Sequence, residues 1–177
     1  SGNGNDGVHL GTAFEFISQS GIVGGCVLTK EDGGVQLLND ADVNSEYYQS
    51  YCGWFKPAGY PADSGDGSEA RLLSRDWSAY WAWMEEDSYD SNGQAYLEIG
   101  RSASHINFAN GLTSGSWHFI AMTLDYDTNA GKGYLYKPDG TLVTGSFDCG
   151  TNPSSDPDGD NENVNGVNLA YNSDDDN

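Results

Sequence analysis

Basic residues are scarce in this chain. Seven Lys and Arg face 27 Asp and Glu among 177 residues, a formal net charge of −20. A surface of that sign repels phosphate backbones, which excludes DNA and RNA as partners and disfavours anionic membranes. Long apolar runs are also missing. A membrane-spanning helix needs about 20 consecutive apolar residues, so no membrane insertion of that kind is expected. Cysteines number three, Cys26, Cys52 and Cys149. They form no C-x-x-C pair and no Cys/His cluster, which argues against a zinc site. An odd count leaves at least one thiol over, and Cys26 and Cys149 remain open as a pair. His9, His105 and His118 are scattered. There is no Gly-x-Ser-x-Gly elbow and no Gly-rich phosphate loop. Helix formers are too sparse, and turns too frequent, for an amphipathic helix. The opening Ser1–Gly7 has neither a basic flank nor an apolar core, so no secretory leader is visible. That leaves a leader already removed, or an exit by another route such as a virus particle.

What the chain does have is aromatic surface and turn residues. Five Trp and eleven Tyr can fill a core with few large side chains, so the 24 Gly do not imply disorder. The length suits one domain, residues 1–177. The apolar signal has period two, punctuated by turns, and predicts many strands. These cover Thr12–Ile17, Gly21–Leu28, Val35–Leu38, Glu46–Lys56, one or two strands within Arg71–Met84, Ala95–Gly100, His105–Phe108, Trp117–Asp125, Gly133–Lys137, Thr141–Phe147 and Val167–Tyr171. Pro138-Asp139-Gly140 predicts a hairpin turn, because Pro presets φ and Gly accepts a positive one. Glu85–Gly93 reads as an acidic turn and Thr151–Gly166 as an acidic loop. Without a blade-like repeat, the expected architecture is an all-β, antiparallel, two-sheet sandwich.

Two stretches resemble the laminin G-like, concanavalin A-like and pentraxin-like jelly rolls. Tyr48-Gln49-Ser50-Tyr51-Cys52-Gly53-Trp54-Phe55-Lys56-Pro57 is similar to an early strand of that group. Gly115-Ser116-Trp117-His118-Phe119-Ile120-Ala121-Met122-Thr123-Leu124-Asp125, followed by Gly133-Tyr134-Leu135-Tyr136 and Asp139-Gly140, is similar to its central hairpin. The resemblance spans roughly 46–172 and implies a two-sheet jelly roll that binds glycan or protein ligands, often with calcium. The group's closing Gly-x-Ile-Asp-Glu-like strand has no counterpart before Asn177. An incomplete sheet would expose an edge that invites a partner strand.

Asp156, Asp158, Asp160 and Glu162 place carboxylates at alternate positions. Calcium takes about 6–8 oxygens, which such a curled run can supply, so this is the first candidate metal site. It resembles the acidic loops of thrombospondin type 3 repeats. It departs from an EF-hand at Asn161 and Val167, where the turn Gly and bidentate Glu would stand. Asp125, Asp127 and Asn129 repeat the spacing, against the alternative of an ordinary Asx-rich turn. Trp77, Ala79, Trp81 and Trp83 share one face if 76–84 is a strand, and core packing is favoured over a sugar platform. Tyr80, on the opposite face, is the best single candidate for exposure. Tyr80, Trp81 and Trp83 are therefore the candidate ligand contacts. Trp54 and Trp117 are assigned to the core, and Cys52 to a small buried position beside Trp54.

Catalysis has little support. The Glu-x-Asp-x-x-Glu pattern of jelly-roll glycosidases is absent, and consecutive acids such as Glu85-Glu86-Asp87 do not face one another. Retaining hydrolysis needs two carboxyls about 5 Å apart. His118 reads as structural. The expected function is a non-catalytic recognition or adhesion module, extracellular or on a particle surface, binding glycan or protein with calcium. The alternative is a structural subunit of a surface assembly (a virion decoration or fibre protein, or an extracellular filament), associating through a sheet edge or the termini.

Overall fold

The computed structural model describes residues 7–10, 14–17, 21–22, 26–29, 34–37, 47–57, 69–75, 80–89, 95–101, 104–108, 112–151 and 167–169. Side chains are described for 21–22, 47–57, 72–73, 97–100, 104–108 and 112–151. The described residues contain no helix. They form thirteen strands: β1 Gly7–Leu10, β2 Phe14–Ile17, β3 Cys26–Thr29, β4 Gly34–Leu37, β5 Tyr48–Phe55, β6 Glu69–Arg75, β7 Tyr80–Tyr89, β8 Ala95–Arg101, β9 Ser104–Phe108, β10 His118–Asp125, β11 Ala130–Tyr136, β12 Leu142–Phe147 and β13 Val167–Leu169. One sheet has the order β1-β4-β13-β6-β7-β8-β9, a second β12-β11-β10-β5, and β2 and β3 form a separate ribbon. All pairings are antiparallel.

The pairing of β10 with β11 and β5 explains the core. Along β10, His118, Ile120, Met122 and Leu124 are buried while the residues between them are half-exposed. Residues directly opposite each other on paired strands share a face, so Leu135 of β11 joins Ile120 on the buried side. Leu97, Ile99 and Phe108 of β8 and β9 complete one cluster with Leu112, Tyr126, Phe147 and Cys149.

Glycines set how closely β8 and β9 approach β11 and β12. A Cβ at Gly133 would lie 3.1 Å from both Ile106 Cδ1 and Ile99 Cγ2, and one at Gly145 only 2.7 Å from Ile106 Cγ2. A side chain at either position would push the isoleucines back, so the bare backbone gives them their seat.

Four assignments made from the sequence are corrected. Cys52 and Trp54 lie on the exposed face of β5, with Trp54 45% exposed. The residues of β5 that turn inward are Gln49, Tyr51 and Phe55, at the other parity. Trp117 is half-buried rather than core. The acidic stretch after Met84 is not wholly a turn, because β7 runs on to Tyr89. Its ladder with β8 shifts register between Glu85 and Tyr89, which lets the strand continue through the acids. Strand β1, paired with β4, was not expected at all.

The predicted turn at 138–140 is present. Gly140 donates its N–H to Lys137 O at 3.0 Å and adopts φ 87, and Lys137 N–H donates to Thr141 O at 2.8 Å. Thr141 N–H donates to Asp139 Oδ1 at 2.9 Å, and this bond holds the Asp139 carboxyl below its usual pKa. Cys149 is a buried thiol outside any disulfide, donating to Asp125 O at 3.3 Å, so it is not bridged to Cys26.

Candidate functional site

The same alternation that fills the core from β10 sends Phe119, Ala121, Thr123 and Asp125 to the opposite face of the four-stranded sheet. The register then builds rows across the strands. Trp54 stands opposite Phe119, Phe119 opposite Tyr136, and Tyr136 opposite Leu142. The next row is Cys52, Ala121, Tyr134 and Thr144, and the third is Ser50, Thr123, Lys132 and Ser146. The fourth, Tyr48, Asp125 and Ala130, closes the face at the β10–β11 turn.

The first row is apolar and open. Tyr136 is 42% exposed and Leu142 57%, beside the half-exposed Trp54. Phe119 is half-buried between them, its ring centroid 5.3 Å from that of Trp54 at an interplanar angle of 57°. Tilted aromatic pairs of this kind are favourable beyond the area they bury, which orders the row. Large apolar side chains gathered on an open surface mark interaction sites more often than scattered ones do. The third row is polar, so one face offers an aromatic ledge beside a line of hydroxyls and one ammonium.

Both flanks are fixed by hydrogen bonds. At the fourth row, Tyr48 OH donates to Asp127 Oδ2 at 2.7 Å, which raises the phenol pKa. Asp125 Oδ1 accepts from Thr128 N–H at 3.1 Å, and Asn129 Oδ1 accepts from Gly150 N–H at 2.5 Å. Asn129 holds φ 56, a left-handed conformation that Asn tolerates better than most residues. At the first row, the 112–117 segment is pinned by His118. Thr113 N–H donates to Nε2 at 3.1 Å, and Nδ1–H donates to Ser116 O at 2.9 Å, a tautomer assigned from these partners. The ring is fully buried and stacks on Phe55 at 5.3 Å. Burial lowers its pKa and favours the neutral form.

The candidates from the sequence fall in different places. Asp125, Asp127 and Asn129 lie in one turn, but each spends an oxygen on a different protein donor. Among the described residues no three His, Cys, Asp or Glu side chains gather as a metal-binding group. Asp156, Asp158, Asp160 and Glu162 lie outside the described residues. Tyr80, Trp81 and Trp83 are in β7, where only the backbone is described. Trp81 stands opposite Gly100 and Trp83 opposite Glu98, whereas Ala82 pairs with Ile99. The register therefore puts positions 81 and 83 on the Glu98 face, and position 80 on the Ile99 face. Glu98 is 4% exposed, and His105 Nε2 lies 3.7 Å from its carboxylate.

Sequence reasoning missed the Trp54–Leu142 row. The signal that could have found it is in His118–Met122 and Tyr134–Tyr136, which are apolar at both parities. A strand apolar on both sides is covered on both sides or carries a binding face. Comparison with protein-family models and with curated protein sequences gives no match.

Proposed function

We propose that this chain is a non-catalytic recognition domain, extracellular or displayed on a particle surface, whose partner docks on the open face of the four-stranded sheet. The observation that carries the reading is the exposed cross-strand row Trp54–Phe119–Tyr136–Leu142. The architecture proposed with it is a two-sheet, laminin G-like jelly roll. One cluster drawn from β8–β9 and β10–β12, and the seat of Ile99 and Ile106 on Gly133 and Gly145, support face-to-face packing. Calcium dependence is part of the proposal and rests on the alternating carboxylates Asp156, Asp158, Asp160 and Glu162. The net charge of −20 supports a cation as a stabilising partner.

The assembly-subunit reading has one observation in its favour. Among the described residues β5 and β12 each pair on one side only, so both edges of the four-stranded sheet are open to strand addition.

Sedimentation and calorimetry, with calcium and then with chelator, separate the two. A monomer that melts several degrees lower after chelation supports calcium-dependent recognition, in line with the stabilisation that native-state binding confers. Oligomers or filaments indifferent to calcium would favour the assembly subunit instead.

A further inference from the structure

Three properties of the open face indicate what it holds. The first is charge. Within the four strands, the outward positions carry one cation, Lys132, and one anion, Asp125. Just beyond them Lys56 and Asp148 again offset each other, both exposed, and Asp127, held by Tyr48, adds one anion. A face with charges so few and so nearly offset, in a chain of net charge −20, is not a device for selecting an ionic partner. A basic protein would be drawn to the acidic stretches, and a polyanion would be repelled by the molecule as a whole. A second copy of this chain would bring a further charge of −20.

The second is size. The first row crosses three inter-strand spacings of about 4.8 Å, about 14 Å in all, and the second row lies about 7 Å away. The apolar ledge is then on the order of 200 Å², against about 800 Å² per partner in a standard protein–protein interface. It suits a small or narrow ligand.

The third is chemistry. The ledge offers the indole of Trp54 and the phenols of Tyr136 and Tyr134, apolar bodies with polar tips. Parallel to it run Thr144, Ser50, Thr123 and Ser146, hydroxyls that each donate and accept. A ligand with apolar C–H faces and hydroxyl edges satisfies both at once.

Resting on the recognition reading above, we infer that the face takes an uncharged oligosaccharide lying across the strands. Its sugar faces stack on Trp54 and Tyr136, and its hydroxyl edges turn toward the Thr144 and Ser50–Ser146 rows.

The test uses the full chain with three soluble neutral polysaccharides (a β-glucan, a mannan and a xylan) and with heparin as the charged control. Isothermal calorimetry and tryptophan fluorescence report binding, and sedimentation reports self-association. The expected result is that at least one neutral polysaccharide binds, with little dependence on salt. Trp54→Ala and Tyr136→Ala then each weaken it about tenfold or more. Both side chains are exposed, and an unchanged melting temperature shows that each variant is folded. Binding to heparin alone, neutral binding indifferent to both variants, or no neutral binding would each overturn the oligosaccharide. In those cases, a self-association that disappears in the Trp54→Ala, Tyr136→Ala double variant would leave docking on this face standing without a sugar. A double variant unchanged in every readout would overturn both.

Discussion

Replacing Gly145 by Ala tests whether β12 and β9 meet as described. The new Cβ would sit 2.7 Å from Ile106 Cγ2, 3.0 Å from Cδ1 and 3.1 Å from Cγ1. Ile106 cannot yield easily, because a β-branched side chain is stiff at χ1. Overpacking of this kind costs about 1–3 kcal/mol. Removing a strand glycine offsets about 0.5–1 kcal/mol of that by restricting the unfolded chain. The net loss is about 0.5–2 kcal/mol, a fall in melting temperature of about 1–8 °C for a chain of this size. Gly53 supplies the matched control. It lies in β5, and a Cβ built there meets nothing within 4 Å. Gly53→Ala is therefore expected to stabilise by about 0.4–1 kcal/mol, so the two substitutions move the melting temperature in opposite directions. Ile106→Ala removes all three clashing carbons. In the Gly145→Ala, Ile106→Ala double variant the losses should fall short of additive by about 1–2 kcal/mol. Calorimetry on the native chain and the four variants decides the matter. If Gly145→Ala behaves like Gly53→Ala, or if the double variant is additive, Ile106 does not sit over Gly145 and β9 does not pack on β12 in this way.

Two further perturbations address the flanks of the open face. His118 has a lowered pKa because it is buried, so the unfolded chain binds its proton more readily than the folded one. Between the folded and unfolded values, stability then rises with pH. The contribution is complete above the ordinary value of 6.5 and is lost as pH falls through the lower folded value. Melting temperatures measured from pH 8 to pH 4 should therefore fall more steeply for the native chain than for His118→Gln, and parallel curves would refute this role. At the other flank, Asn129→Ala loses the acceptor for Gly150 N–H and puts at φ 56 a residue that tolerates the left-handed region less well than Asn. The expected cost is about 1–3 kcal/mol in urea unfolding. Asn129→Gly, which relieves only the backbone, should recover about half of it, and an equal loss in both variants would show that φ contributes nothing.

The hairpin from β10 through β12 was legible because its turns and its pattern agree. Pro138-Asp139-Gly140 is turn chemistry at a position where only a turn fits, and the flanking strands alternate. Strand β1 was not legible, since Val8–Leu10 is a short run inside a glycine-rich opening and forms a strand through its pairing with β4. The face of β5 was misjudged for a different reason. Tyr48–Phe55 is aromatic at both parities, so its own pattern does not say which face is buried. What settles the parity is not in β5. Its neighbour β10 buries His118, Met122 and Leu124, and the register then puts Phe55, Tyr51 and Gln49 inward and Trp54 and Cys52 outward. Register is a non-local property, and one strand read alone cannot supply it.

The open face and the closely packed face are two consequences of one pattern. In β11, Gly131 and Gly133 turn inward while Lys132, Tyr134 and Tyr136 turn outward. In β12, Gly145 turns inward and Leu142 and Thr144 outward. Ordinary sheet patterning puts large apolar residues inside and small polar ones outside. Here two strands reverse it at neighbouring positions. Gly133 and Gly145 make room for Ile99 and Ile106, so side chains from β8 and β9 fill the core beside Leu135 of β11 and Phe147 of β12. The aromatic side chains of β11, Tyr134 and Tyr136, stand on the other face. Stability alone gives no reason to leave Tyr136 and Leu142 in water, because each would contribute about 25 cal/mol per Å² if buried. Their place on the outside, aligned with Trp54 and Phe119 across four strands, is what the docking partner proposed above would account for.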